Sequence, residues 1–135
     1  MVLAQLASVL DVSKLKKDEQ YGYYIIDSIN DLWLDFCGNE VIINYFKEHH
    51  HIMGMDHETM DEWTAEVIRF LGLLINRTVK FEFCFHGKKQ IRIKVYSISE
   101  GKEELIEHIR TILNPFLLNS KTSRKEINLV EFKQQ

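Results

Sequence analysis

The sequence predicts an α+β fold: an antiparallel sheet of five or six strands with helices on one face, in the order α-βββ-α-ββ-α and a further strand at the end. Three observations carry that expectation. Met60, Trp63, Val67, Phe70, Leu71 and Leu74 recur at the three- and four-residue steps of one helical face. Val79, Phe81, Phe83 and Phe85 then alternate with Lys80, Glu82, Cys84 and His86, the two-residue period of a half-buried strand. Ile91, Ile93 and Val95 repeat the alternation beyond Gly87-Lys88-Lys89. Residues 59–98 therefore read as a helix running into a hairpin, with apolar faces that should pack on each other.

Each element follows from local signals. Leu3, Leu6 and Leu10 space a short N-terminal helix, and residues 14–20 form a polar link. Residues 21–27, rich in Tyr and Ile, read as a strand, and Ser28-Ile29-Asn30-Asp31 as a turn. Gly38-Asn39 suits a two-residue hairpin turn with glycine first. That register pairs Phe36 with Val41, Leu34 with Ile43 and Leu32 with Tyr45, leaving Trp33, Asp35, Ile42, Asn44 and Phe46 on the opposite face. Residues 48–57 read as a histidine-rich loop. Thr59 with Glu62 forms a capping box for the long helix, and Asn76 suits its left-handed stop, which we prefer to a glycosylation role for Asn76-Arg77-Thr78.

For the second hairpin, a three-residue turn pairs Phe85 with Ile91, Phe83 with Ile93 and Phe81 with Val95, and sets Glu82 opposite Lys94. A two-residue turn would set phenylalanines opposite charges and is rejected. Ser99 is placed to cap another helix through Leu105, Ile109, Ile112 and Phe116, ended by Pro115 near Asn114. Residues 119–125 read as a polar link and residues 127–132 as a last edge strand. This order and size resemble the type III secretion chaperones that bind effector proteins, a likeness of element order over most of the chain with no shared motif. It implies a dimeric, chaperone-like alternative.

At 135 residues and 16.0 kDa the chain reads as a single domain spanning residues 1–135. Such a chain buries roughly two-thirds of its unfolded surface and needs neither disulfide nor metal to fold. Two cysteines make no disulfide framework, so a reducing compartment is expected. No basic leader with a long apolar core opens the sequence and no apolar run reaches membrane length, so we expect a cytoplasmic protein that does not enter a membrane. The net charge of −3 is unevenly spread. Residues 21–75 carry ten acids against Lys47 and Arg69, a net −8, whereas residues 76–96 carry six Lys and Arg against Glu82, a net +5.

Four constellations of residues could carry chemistry or binding. His49, His51 and His57, within a run of four histidines in nine residues, are the metal candidates, although no metalloenzyme spacing is matched. The competing reading is a solvated loop. Cys37 and Cys84 precede the two hairpin turns; Cys84 lies among Lys80, His86 and Arg92, yet no base-and-orienter pair accompanies it. Without a nucleophile elbow, phosphate loop or Cys-x-x-Cys pair, we expect a non-enzyme with no catalytic residue and no cofactor, the alternative being a metal-dependent enzyme that uses the His49–His57 loop. Lys80, Arg92, Lys94 and Tyr96 share one face of the second hairpin with Lys88 and Lys89 at its tip, but an overall pI near 6.1 argues against nucleic acid. The remaining surface is acidic and aromatic: Trp33 and Ile42, with Phe46, rimmed by Asp27, Asp31, Asp35 and Glu40. It suits capture of a basic partner protein in the manner of an immunity or inhibitor protein, unless another element or a second copy in a homodimer covers it.

Overall fold

A computed structural model of the chain describes residues 3–46, 48–110 and 123–134. Among the described residues the fold is α+β and antiparallel, with one main helix and two sheets where a single sheet was expected. The chain packs as two compact units, Met1–Asn76 with Phe132–Gln135, and Arg77–Glu131. No helix among the described residues is long and apolar enough to cross a membrane.

The first unit opens with a 3-10 helix, Leu3–Ser8, in place of the expected α-helix, which buries Leu6. Its sheet runs β1 (Lys16–Lys17), β2 (Tyr24–Asp27), β3 (Leu32–Cys37), β4 (Glu40–Tyr45) and β5 (Glu48–Met53), paired in chain order. The expected Gly38-Asn39 turn is present, with Gly38 at φ +61°, and Phe36↔Val41 and Leu34↔Ile43 are the observed pairs. β5 is a correction, since residues 48–53 continue the meander as an edge strand instead of forming a loop. The pattern hid this because a histidine run carries no apolar alternation. Only Ile52 supplies a buried aliphatic side chain there, while His50 stacks on Phe70 at 3.8 Å between ring centres.

Helix α1 (Met60–Leu74) starts as its sequence dictates: Thr59 Oγ1 accepts from the Glu62 amide at 3.1 Å, and Glu62 reaches back to the Glu58 amide at 3.0 Å. It stops at Ile75, and Asn76 follows in the left-handed region at φ +59°. Trp63, Val67, Phe70, Leu71 and Leu74 are buried as the stripe requires, while Met60 at the first turn is exposed. The helix packs on β5, on the 3-10 helix Leu3–Ser8 and on the 3-10 turn Gly54–Asp56. Trp63 Nε1 donates to the Ile52 carbonyl at 2.9 Å, and its ring lies 3.5 Å from where a Cβ on Gly54 would stand. Phe132 closes this core from the C-terminal segment, its carbonyl accepting from the Asn76 amide at 3.0 Å.

The second unit is a four-stranded sheet in the order β8-β7-β6-β9, built from β6 (Thr78–His86), β7 (Lys89–Ser99), β8 (Lys102–Arg110) and β9 (Ser123–Glu131). Phe81↔Val95, Phe83↔Ile93 and Glu82↔Lys94 pair as expected, but the tip differs. The turn is a two-residue one, Gly87-Lys88, and a bulge between Cys84 and Phe85 pairs Phe85 with Gln90, leaving Ile91 as the extra residue. The bulge reconciles the short turn with the apolar register, so a two-residue turn does not set the phenylalanines opposite charges beyond it. The expected helix through Leu105 and Ile109 is replaced by strand β8, entered through Glu100 and Gly101, both at positive φ (+52° and +78°) as a type I′ hairpin turn requires. Ile112, Asn114, Pro115 and Phe116 lie outside the described residues. β9 is the expected edge strand, beginning four residues earlier at Ser123.

Candidate functional site

Cross-strand register assembles the outer face of the first sheet. Ile25, Trp33, Asn44 and His49 form one row across β2 to β5; Asp35, Ile42 and His51 form the next; Cys37, Glu40 and Met53 form a third. Six predicted site residues (Trp33, Asp35, Glu40, Ile42, His49 and His51) thus share one face. Trp33 and Ile42 are half-buried, and the Tyr23 ring lies 4.5 Å from the Trp33 ring. Asp31 is exposed at the turn entering β3, held at φ +54°, where its carbonyl accepts from Asn44 Nδ2 at 3.2 Å.

Asp27 must be removed from this surface. It is 2% exposed and anchors the fold. Its Oδ1 accepts from the amides of Ile29 (3.1 Å) and Asn30 (3.2 Å), while Oδ2 accepts from Asn30 Nδ2 (2.9 Å) and the Lys133 amide (3.0 Å). A buried carboxylate persists only when its oxygens are satisfied in this way. One side chain therefore shapes the 27–30 turn and ties the C-terminal segment to the first unit. The Asp-x-x-Asn spacing was the sequence signal for this Asx-type role.

The acids that remain on the face are engaged locally. Glu40 Oε1 pairs with His51 Nδ1. Asp35 accepts a hydrogen bond from the Cys37 thiol, and this contact, ahead of desolvation and of the charges of Asp35 and Glu40, holds the thiol above its ordinary range. His57, the third metal candidate, lies beyond the 3-10 turn Gly54–Asp56, with Nδ1 donating to the Met53 carbonyl at 2.9 Å. Among the described residues no group of three or more His, Cys, Asp or Glu side chains gathers as metal ligands would.

The outer face of the second sheet holds the basic residues. Register sets Lys80 beside Tyr96, Glu82 beside Lys94 and Cys84 beside Arg92, as the alternation predicts. Strand β8 adds residues that the helical reading had placed elsewhere: Leu105 opposite Tyr96, His108 opposite Lys94 and Arg110 opposite Arg92. On the other side β9 contributes Leu129, Ile127 and Lys125 to the same rows. The Glu100-Gly101 pair between two alternating segments was the signal that could have found them. Both cysteines are free thiols.

Taken together, fold and faces define an antiparallel α+β protein carrying two mixed polar and apolar sheet surfaces. No protein-family model, curated protein or solved structure matches the chain.

Proposed function

We propose that this is a small, non-enzymatic, cytoplasmic protein-binding domain of immunity or inhibitor type, which masks a basic partner protein through the outer face of its first sheet. The observation that carries this reading is the row structure of that face, which sets Trp33 and Ile42 at its centre and Asp35, Glu40, His49 and His51 around them. An aromatic centre ringed by polar groups has the anatomy of a binding hot spot. The field around it is negative: the first unit contains 13 acids against 6 Lys and Arg, a net −7. Such a field steers a basic partner toward the face, while the apolar centre sets how long it stays. Asp31 and Asp35 extend the acidic rim, whereas Asp27 takes no part.

Affinity capture from the host with untagged protein and with Trp33→Ala tests the reading. The expected outcome is a basic protein retained by the parent and lost by the variant. Retention of the same proteins by both, or of acidic proteins only, sinks it.

A further inference from the structure

The charges on the second sheet are arranged differently. Arg92 on β7 stands directly opposite Arg110 on β8, and Lys94 directly opposite His108, all on one face. Side chains opposed in this way have Cβ atoms about 5 Å apart, and like charges so placed repel. The carboxylates that could relieve them are engaged by other cations: Glu82 by Lys125 at 3.2 Å and Glu103 by Lys80 at 2.8 Å. Among the described residues Arg92, Lys94 and Arg110 form no ion pair. Arg110 Nε instead donates to His108 Nε2 at 3.3 Å, a bond that requires this nitrogen to be unprotonated. His108 accordingly titrates below the ordinary histidine range, through desolvation first and then through the positive charges of Arg110, Lys94 and Arg92.

Next to this corner lies an apolar platform. Tyr96 follows Lys94 on the same face, and Leu105 opposite it is 50% exposed. Lys80 Nζ, paired with Glu103, lies 4.6 Å from the centre of the Tyr96 ring. The whole-chain pI near 6.1 is the wrong quantity for this face, because the charge is segregated by unit. Residues 77–131 carry 11 Lys and Arg against 7 acids, a net +4. Guanidinium pairs suit phosphate oxygens, and a half-buried aromatic ring such as Tyr96 suits a base face. An acidic peptide would satisfy the cations but would bring no flat ring to the platform.

We propose that Arg92, Lys94, His108 and Arg110, with Tyr96 and Leu105 beside them, bind the phosphodiester backbone and bases of single-stranded nucleic acid. The anion lies between the opposed cations and removes their repulsion, and Tyr96 stacks an adjacent base. The contact reads the backbone and is therefore indifferent to sequence.

Fluorescence anisotropy on the full chain tests this, using a labelled oligo-thymidylate of about 12 nucleotides, within the range of single-strand site sizes. Saturable binding is expected at about 50 mM salt, weakening steeply as salt rises. Arg92→Gln with Arg110→Gln should weaken binding by about tenfold or more and flatten the salt slope by about 1.4, the loss of two single-strand phosphate contacts. Tyr96→Ala should weaken it by about fivefold or more. The double variant should melt no lower than the parent, because the substitutions relieve repulsion. In the parent, adding the oligonucleotide should raise the midpoint of the His108 imidazole titration followed by NMR, since a nearby anion favours the imidazolium. Absence of saturable binding, undiminished binding by the double variant, a lower melting temperature for that variant, or an unmoved His108 midpoint each overturns the proposal. So does equal affinity for a poly-glutamate peptide of the same length, which would mark the face as a dock for acidic protein.

Discussion

On the outer face of the first sheet the charged groups satisfy one another: Glu40 meets His51, Asp35 holds the Cys37 thiol, and Asp27 has withdrawn into the 27–30 turn. On the outer face of the second, Arg92 faces Arg110 and Lys94 faces His108, with the nearby carboxylates committed elsewhere. Both faces belong to antiparallel sheets with an apolar stripe on the reverse, so the contrast is not one of architecture. It teaches that net charge and local pairing are separate quantities. The first unit keeps a long-range negative field while Glu40, Asp35 and Asp27 are locally engaged, which suits steering around an apolar contact. The second opposes Arg92 to Arg110 and Lys94 to His108 across neighbouring strands, and among the described residues none of the three Lys and Arg side chains forms an ion pair.

The sharpest way to break that comparison is to remove the interior on which the first face stands. Trp63→Ala deletes a buried ring and orphans the Ile52 carbonyl. It should cost about 3–5 kcal/mol in chemical denaturation. A cost under about 1 kcal/mol would mean that the helix does not anchor this sheet. Next in size is Asp27→Ala, which leaves the amides of Ile29, Asn30 and Lys133 without their acceptor. About 3 kcal/mol is expected. If Asp27 were instead a binding residue, its removal would spare stability and weaken capture of the partner, the opposite pattern.

How much of this was legible in the sequence depends on whether apolar residues marked the period. The helix, its cap and stop, the Gly38-Asn39 register and the Phe81 to Phe85 alternation were all readable because burial follows side-chain spacing. β5 was not, since Glu48-His49-His50-His51 lacks the alternation even though Ile52 and the His50 ring face inward. β8 was misread for a related reason. Lys102 to Arg110 is rich in helix-favouring Glu and Lys, and Leu105 and Ile109 fall four apart by coincidence. In a strand those residues land on opposite faces only because a bulge between Val95 and Tyr96 leaves Ile106 out of the pairing. Charged residues along a sheet edge also discourage unwanted strand pairing, a constraint that overrides helix propensity. The β3–β4 part of the first face was therefore legible residue by residue, whereas the His49, His51 and Met53 that β5 adds to it were not, nor was the burial of Asp27, which depends on the distant Lys133 amide. Half of the basic corner was invisible because His108 and Arg110 had been assigned to a helix.

Trp33→Ala sharpens the comparison by separating surface from interior. Trp33 is half-buried on the outer face, so its loss should cost stability only about 1 kcal/mol while weakening partner binding by about 2 kcal/mol or more, chiefly through faster dissociation. Reversing charge at Asp31 should instead slow association, and the effect should fade as salt shortens the screening length from about 10 Å at 0.1 M. Surface-plasmon kinetics on the captured partner distinguish the two, and identical behaviour would mean that the face does not divide steering from contact.

The smallest expected effect concerns the local pairing itself. Cys37 is exposed, yet its thiol is held above the usual cysteine range, first by the hydrogen bond to Asp35 and then by desolvation and nearby carboxylate charge. A raised pKa means less thiolate at any pH below it, and the thiolate is the reacting species. Iodoacetamide at mild alkaline pH should therefore label Cys37 slowly for so accessible a residue. Asp35→Asn removes the carboxylate that stabilises the protonated thiol, so the pKa falls and labelling at a fixed pH should accelerate by about two- to fivefold. The gain should vanish once the pH exceeds the parent's pKa, where both proteins are fully ionised. Peptide mass spectrometry over a pH series reads Cys37 separately from Cys84. An Asp35→Asn profile that overlays the parent's would show that Asp35 is not committed to the thiol, leaving its charge available to a partner in the way the second sheet leaves Arg92 and Arg110.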